Sequence, residues 1–398
     1  MINTNKALDR NTFMDTGLDI LKKNSMLFAL IVATILFEFL TKGKLLVPQN
    51  VTNLLSQNGY VVILAIGMLM CILTGGNIDL SVGSVVCLLG AIAGQFIVTY
   101  KANIFLSMII CIIAGIIIGA WHGYWIAYIR IPAFIVTLSG MLLWRGVALK
   151  VLNGLTISPF PTNYLSLFNN FIPNFSNSKL NVTSILIGVL LSLIYIFIQI
   201  INRNSKVKKG YKTESFISMV VKSALIIAFI VAASINLANY KGIPVILIIL
   251  AVIAGVYTYY TTKTVPGRYL YAMGGNEKAA RLSGINTNRV LFLSYVNMGF
   301  LCAIAALVCV ARFNSAAPTA GTNYELDAIG ACFIGGASAY GGIGTVGGTV
   351  IGAIFMGVLN NGMSIMGADS NDQRIIKGLV LLAAVAFDVL SKKKNRAL

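Results

Sequence analysis

"ILAIGMLMCILTGGNIDLSVGS", Ile63–Ser84, joins an uncharged apolar run to a glycine pair and a lone carboxylate, Asp79, before a second apolar run resumes. The first run, Leu54–Leu73, supplies the ~20 apolar residues that a helix needs to cross a bilayer. Strands of a membrane barrel would alternate in polarity, and this run does not, so helix is the assignment. A helix broken inside a membrane exposes backbone groups, and that is tolerated only where they are buried in protein or line a wet cavity. The stretch reads as a broken membrane helix, and it sets the class of the whole chain.

Composition agrees. Of 398 residues, 57% are hydrophobic and 11% charged, whereas a soluble domain carries about a quarter charged residues. A net charge of +18 would fit a nucleic-acid face only if the basic residues gathered on one folded surface. Here they fall in the gaps between apolar runs: Lys22 and Lys23, Arg203–Lys212, Lys263–Arg289 and Lys392–Arg396. That is the distribution of a positive-inside membrane protein, and it excludes nucleic acid as a partner. The first apolar run, Ser25–Leu40, follows a polar tail (residues 1–24) and has no small-residue cleavage site after it, so it reads as a retained anchor. The cysteines lie in apolar runs without CxxC spacing, which reads as small buried hydrophobes rather than a metal site or disulfides.

The expected class is an all-α polytopic membrane protein. Its spans are Ser25–Leu40, Leu54–Leu73, Ser81–Tyr100, Ile104–Tyr128, Ile131–Leu149, Val182–Ile201, Phe216–Leu237, Ile243–Tyr260, Val290–Phe313, Leu326–Tyr340, Thr345–Met366 and Ile375–Leu390. Placing all basic gaps on the cytoplasmic side requires an even number of spans between them, which favours about twelve spans over ten or eleven. Both termini are then cytoplasmic. Leu326–Tyr340 is the weakest span and reads equally as a re-entrant segment. Lys150–Leu180, rich in Pro, Asn and aromatics, falls outside, as a partner-contacting loop or a plain linker. The membrane body is taken as 25–390, with a basic tail at 391–398. Glycines spaced GxxxG (Gly90/Gly94, Gly115/Gly119, Gly348/Gly352) serve packing within the bundle or a dimer seam.

A second glycine-rich break is "GGASAYGGIGTVGGTVIGA", Gly335–Ala353, where Gly342, Gly344 and Gly347 spell the dinucleotide fingerprint GxGxxG. A dinucleotide site needs a preceding strand and an acidic residue about 20 positions on. The preceding run is small-residue and membrane-like, the next carboxylate is Asp369, and a lysine for a phosphate loop is replaced by Gly348. No nucleotide or other cofactor is expected. Two breaks, each running from an apolar helix through Gly-Gly into a small-residue helix, make a weak internal repeat. Transport proteins use such breaks to present backbone dipoles to a substrate.

A carboxylate between apolar runs is a functional hypothesis by default, but Asp79 could equally cap the helix that starts near Ser81. Arg145, Glu38, Arg312 and Asp388 read as end-of-helix or interfacial charges. His122, the only histidine, is too isolated for a proton relay and reads as structural. Neutral polar substrates need hydrogen-bond donors and acceptors, which makes Asn77, Asp79, Ser81, Asn360 and Asn361 the candidate pathway residues. In the basic gap 261–290, Asn276 can cap a short helix over Glu277–Ser283, and Gly284 can end it in the left-handed conformation. A short capped helix with no core of its own is suited to dock on another protein.

Three segments then carry a resemblance: "ILAIGMLMCILTGGNIDLSVGS", "YAMGGNEKAARLSGINTNRV" and "ACFIGGASAYGGIGTVGGTVIGAIFMGVLNNGMSIMG". Together they resemble the permeases of bacterial ABC importers for monosaccharides, of the ribose/xylose/arabinose/galactoside class, closest to the multiple-monosaccharide and xylose-type members. The resemblance covers most of Leu54–Leu390, and the segment 181–239 is extra relative to the shorter ribose-type permeases, as in the xylose type. It implies import of a pentose or hexose by alternating access, with no chemistry on the permease itself. It also implies a homodimer in the bacterial inner membrane, a cytoplasmic sugar-type ATPase and an external sugar-binding protein. "NEKAARLSG" is similar to the coupling segment by which such permeases contact their ATPase, which carries that role to Glu277, Ala279, Ala280, Arg281 and Gly284. Lys278, inserted between the acid and the alanines, departs from the pattern and leaves the register of that contact open. The alternative is an ion-coupled secondary transporter, which needs ionisable residues within the spans. An embedded enzyme would need clustered catalytic or metal-binding residues.

Overall fold

The computed structural model describes residues 25–176, 178–211 and 216–396. The N-terminal tail with Lys22 and Lys23, Lys212, and the side chains of Asp388 and of the basic tail 391–398 lie outside the described residues. The described residues are mostly helical, in the order α1 (Ser25–Leu40), α2 (Pro48–Leu73), α3 (Val82–Gly94, continued by a π turn over Gln95–Thr99), α4 (Ile104–Ala127) and α5 (Ala133–Leu152). There follow α6 (Thr162–Asn169), α7 (Val182–Lys208), α8 (Phe216–Ala238), α9 (Val245–Lys263), α10 (Val265–Gly275), α11 (Glu277–Leu282) and α12 (Thr287–Phe313). The last three are α13 (Tyr324–Ile334), α14 (Val346–Ile365) and α15 (Ser370–Arg396).

Among the described residues eight helices are long and apolar enough to cross a membrane, and the apolar segments Met26–Leu40 and Lys222–Ala238 are shorter. The expected span Leu326–Tyr340 is corrected: α13 has 11 residues and stops at Ile334, where Gly335 and Gly336 (φ +80°) turn the chain away. That is too short to cross the ~30 Å core at 1.5 Å per residue. Before it, the segment 314–323 folds inward until Gly321 lies against Gly83 near the start of α3. The non-helical segment and the short helix together lead from the end of α12 to the second glycine-rich break.

Asparagine sets many helix boundaries. Asn103 accepts from Phe105 N (2.9 Å), Asn181 from Ser184 N (3.0 Å) and Asn286 from Arg289 N (3.0 Å), while Asn153 and Asn314 close α5 and α12 in the left-handed conformation. Side-chain capping and tolerance of positive φ are the two reasons Asn suits these places.

The centre of the bundle is α2, whose residues Ile63–Leu73 are all buried. A helix apolar on every side belongs inside a bundle rather than on its surface. α12 runs antiparallel to α4 along a seam of small residues, where Gly115 meets Gly299 and Gly119 and Gly123 meet the backbones of Tyr295 and Phe292. The other spaced glycines also pack within the chain, Gly348 and Gly352 on the end of α13, Gly90 on Val310 and Gly94 on Ala316. Helices α7 and α8 form a peripheral hairpin in which Gly188 receives Ser234, and Asn236 Nδ2 ties it to the Leu46 carbonyl (3.0 Å).

Loop positions define two ends. Lys206, Lys208, Lys263, Arg130 and Arg281 sit at the end where α2 finishes, here called the basic end. The connection 153–181 sits at the far end and is no loose linker: Tyr164 is fully buried, its hydroxyl donates to the Leu307 carbonyl (2.7 Å) and Asn169 Nδ2 to that of Ala311 (2.6 Å). It lies across the end of α12.

Candidate functional site

At the basic end the two glycine-rich breaks and α10 meet through their backbones. The Gly342 amide donates to the Leu73 carbonyl (3.1 Å), the last residue of α2. Gly341 lies on Gly75, and Gly76 lies on the Ala339 carbonyl, each too close to admit a Cβ. Gly274 fills the remaining gap between Leu73 and Gly342. From the same helix Tyr271 donates its hydroxyl to the Gly344 carbonyl (3.0 Å); burial raises its phenol above the ordinary value, which keeps the hydroxyl a donor. Hence the opening letters of a nucleotide fingerprint have another use. Gly342 and Gly344 let three chain segments touch, and the element before them is the helix α13, where a dinucleotide site needs a strand.

From this junction the chain continues into α11. Asn276 caps it through Ala279 N (3.0 Å). Gly284, at φ +84°, ends it, with Ile285 N bonded to the Ala280 carbonyl (3.1 Å). Glu277 is not free: Arg130, in the α4–α5 connection, binds its carboxylate at 2.8 Å and also donates to Asn288 and to Thr287 Oγ1 (3.4 Å). Ala280 is buried, while Lys278, Ala279, Arg281 and Gly284 are exposed. Leu282 is 90% exposed, and its signal in the sequence was its place on the outer face of a helix with no core of its own. A cleft of about 390 Å³ opens beside the junction, lined by Thr74, Asn77, Arg130, Pro132, Met273 and Glu277 among others.

The structure separates the candidate pathway residues. Asp79 is buried, and its Oδ1 accepts from Ser81 N (2.8 Å) and Ser81 Oγ (2.6 Å), closing the turn that leads into α3. Ser81 is fully buried. Asn77 holds Thr74 through the Thr74 carbonyl (3.3 Å) and Oγ1 (3.2 Å) and lines the cleft. Asn361 exchanges two amide bonds with Asn50 (2.8 and 3.1 Å) at the start of α2. The 23 residues from Asn50 to Leu73 put the two groups roughly 35 Å apart at 1.5 Å per residue. One small substrate cannot touch both sets at once.

Sequence reading missed two charged features. Asp327 in α13 and Lys377 in α15 form an ion pair at 2.9 Å, with only 6% and 14% of their side chains exposed, and Asn360 lies beside it. Partners 50 residues apart, each near a helix end, give no local signal. Arg145 is not an end-of-helix charge either. It lies well inside α5 and donates from Nη1 to the carbonyls of Pro318 (3.1 Å) and Ala320 (2.6 Å). His122 is buried, accepts from Trp144 Nε1 (3.1 Å) and packs among Trp121 and Trp144, a structural setting.

Comparison with known proteins gives these features a family. The model of the family described as "Branched-chain amino acid transport system / permease component" matches residues 50–385. The chain is 38% identical over 372 residues to the xylose transport system permease protein XylH of Escherichia coli (strain K12), covering 93% of this chain and 92% of that one. It is 37% identical to the XylH protein of Haemophilus influenzae, over 93% and 96% of the two chains. With the ribose import permease protein RbsC of Escherichia coli (strain K12) it shares 35% identity, over 85% of each. No solved structure matches it significantly. The chain belongs to this permease family and is a multi-pass membrane protein.

Proposed function

We propose that this member of the permease family is the membrane subunit of an ATP-driven importer that moves a monosaccharide, a pentose or hexose such as xylose, into a bacterial cell by alternating access. The observation that carries this reading is the end-to-end similarity to a xylose permease, across 93% of the chain. In this reading the basic end faces the cytoplasm, as the positive-inside bias requires, and both termini lie there. Two copies pair in the inner membrane, a binding protein delivers sugar at the far end, and a separate ATPase docks at the basic end.

The docking element is α11. Lys278, Ala279, Arg281, Leu282 and Gly284 face outward for the ATPase, Ala280 anchors the helix inward, and Glu277 holds it to Arg130. Movement of α11 passes to α10, and Gly274 presses that movement onto both breaks at once, because no flexible side chain lies between them to absorb it. Asn77, with Asp79 and Ser81 behind it, lines the basic-end exit, and Asn360 and Asn361 line the far-end approach. A neutral sugar is passed along such amides and hydroxyls without a charged site.

Proteoliposomes holding the permease, its ATPase and its binding protein test the reading. Xylose uptake should require internal ATP and both partners. Uptake without ATP or ATPase that collapses when the ion gradient is dissipated would overturn it.

A further inference from the structure

The far-end segment 314–323 is held at its root, at Gly321 and, between the two, by one side chain from α5. It leaves the end of α12 at Asn314, is pinned by the reciprocal bonds between Ala316 and Ile157 (2.9 Å each), and then folds inward until Gly321 lies on Gly83. Between those two contacts the Ala317 and Thr319 carbonyls are bonded within the segment, to Ala320 N (3.0 Å) and Thr322 Oγ1 (2.8 Å), while those of Pro318 and Ala320 are turned toward α5. A carbonyl without a donor is costly inside a membrane protein, so those two need one. Arg145 supplies it. Its Nη1 bonds the Pro318 and Ala320 carbonyls, and its charge interacts with the Glu325 carboxylate at the head of α13.

An arginine within a membrane helix is costly and marks function by default. Seven residues separate Arg145 from the end of α5 at Leu152, which puts it roughly 10 Å inside the bundle. The bonded carbonyls belong to a segment without regular structure, so the side chain holds a loop in position and does not brace two helices. Beneath the same loop lies Cys87, which is buried, with its Sγ 3.7 Å from the carbonyls of both Ala317 and Pro318. Arg145 also touches this thiol. The loop therefore covers α3 from Gly83 to Cys87.

We infer that Arg145 is the positioning residue of a far-end gate: its guanidinium latches the re-entrant segment 315–323 over α3, and release of the Pro318 and Ala320 carbonyls opens the bundle from that end. One nitrogen, Nη1, directs both of its hydrogens to the two carbonyls, and the rigid guanidinium holds that nitrogen in a fixed direction at a reach the shorter lysine lacks. Ala316 stays bonded to Ile157, so it is the fixed point about which the tip swings.

Cys87 reports on the latch. The full-length permease in lipid nanodiscs, where both faces are open to solvent, is treated with a small charged thiol reagent, and modification at each cysteine is followed by peptide mass spectrometry. R145Q should react at Cys87 at least ~10-fold faster than the unaltered protein, the factor that each ~1.4 kcal/mol of lost holding energy allows. R145K, which keeps the charge on a shorter side chain, should fall between. The buried Cys111 and Cys302 should stay unmodified in all three. Loss of a neighbouring positive charge by itself slows thiolate chemistry, so a faster reaction reads uncovering. Equal Cys87 rates in R145Q and the unaltered protein would overturn the inference, as would a rise shared by Cys111 and Cys302, which would mean general loosening. No sugar, ATP or partner enters this test, so its outcome is independent of the import reading.

Discussion

Gly274→Ala is the sharpest test of the junction. The added Cβ would run into the Leu73 carbonyl and the Gly342 amide, and would sit 2.8 Å from Gly342 Cα. All three obstacles are backbone, so none can rotate away, and a normal carbon contact of ~3.5–4.0 Å requires a shift near 1 Å. Forcing an extra carbon into packed surroundings costs about 1–3 kcal/mol. The shift also breaks the bond from Gly342 N to the Leu73 carbonyl, a further ~1 kcal/mol. The sum, about 2–4 kcal/mol, falls on the arrangement in which α10 touches both breaks and not on one in which it has withdrawn. At ~1.4 kcal/mol per decade that is a shift of about 30- to 700-fold between the two. G274A should therefore raise ATP hydrolysis in the absence of sugar while uptake falls. Gly275, next in the chain, has nothing within 4 Å of its own added Cβ, which makes G275A the control. If G274A and G275A hydrolyse ATP and take up sugar alike, or if G274A only lowers the melting temperature of a still-coupled complex, the junction is packing and not transmission.

Leu282→Asp removes no internal contact and should change stability by no more than ~0.5 kcal/mol, yet it should abolish co-purification of the ATPase; undiminished co-purification would count against α11 as the docking element. Asp327→Ala strands Lys377 and should cost about 3–5 kcal/mol, read as a lower melting temperature in detergent, whereas the double variant D327L/K377M should recover most of it. A single variant as stable as the double would show that the ion pair does not hold α13. Single cysteines at Lys208 and Thr162 test the orientation: only T162C should react with an impermeant reagent added outside intact cells, and labelling of K208C would invert the topology.

Much of the fold could be read from local composition, because apolar runs and their capping asparagines are local signals. Ser25–Leu40 is a helix with those bounds, and α7 and α8 begin where the apolar runs begin. The reading stopped short where polarity is satisfied at a distance. α2 starts at Pro48, not Leu54, because a proline suits the first helical position and Asn50 in the first turn finds a remote partner in Asn361. Leu326–Tyr340 looked like a span because its composition is apolar, yet Gly335 and Gly336 end the helix early. At the site, the short helix, its asparagine cap and its terminal glycine were legible within nine residues. The meeting of Gly75, Gly274 and Gly341 was not, since nothing in three separated glycines says that they share one point. Arg145 was misread for a related reason. A charge a few residues from a helix end looks interfacial until a loop is found to fold down onto it.

The direction in which the junction can open follows from its hydrogen bonds. Separating α10 from the second break leaves the Gly344 carbonyl without the Tyr271 hydroxyl, and parting the two breaks from each other leaves the Leu73 carbonyl without Gly342 N. In hydrocarbon each would cost several kcal/mol, and no motion that exposes them to lipid could be driven reversibly. The cleft beside them is different: Thr74, Asn77, Asn276 and Glu277 line it, and it is open. Water entering from that side can take over both acceptors at little cost. The breaks can therefore part only toward the basic end, where α11 and Arg130 stand. The far end needs its own closure, because the loop that covers it is bonded to different residues. Alternating access requires two gates that open independently, and the hydrogen bonds around Gly274 and those of Arg145 share no residue.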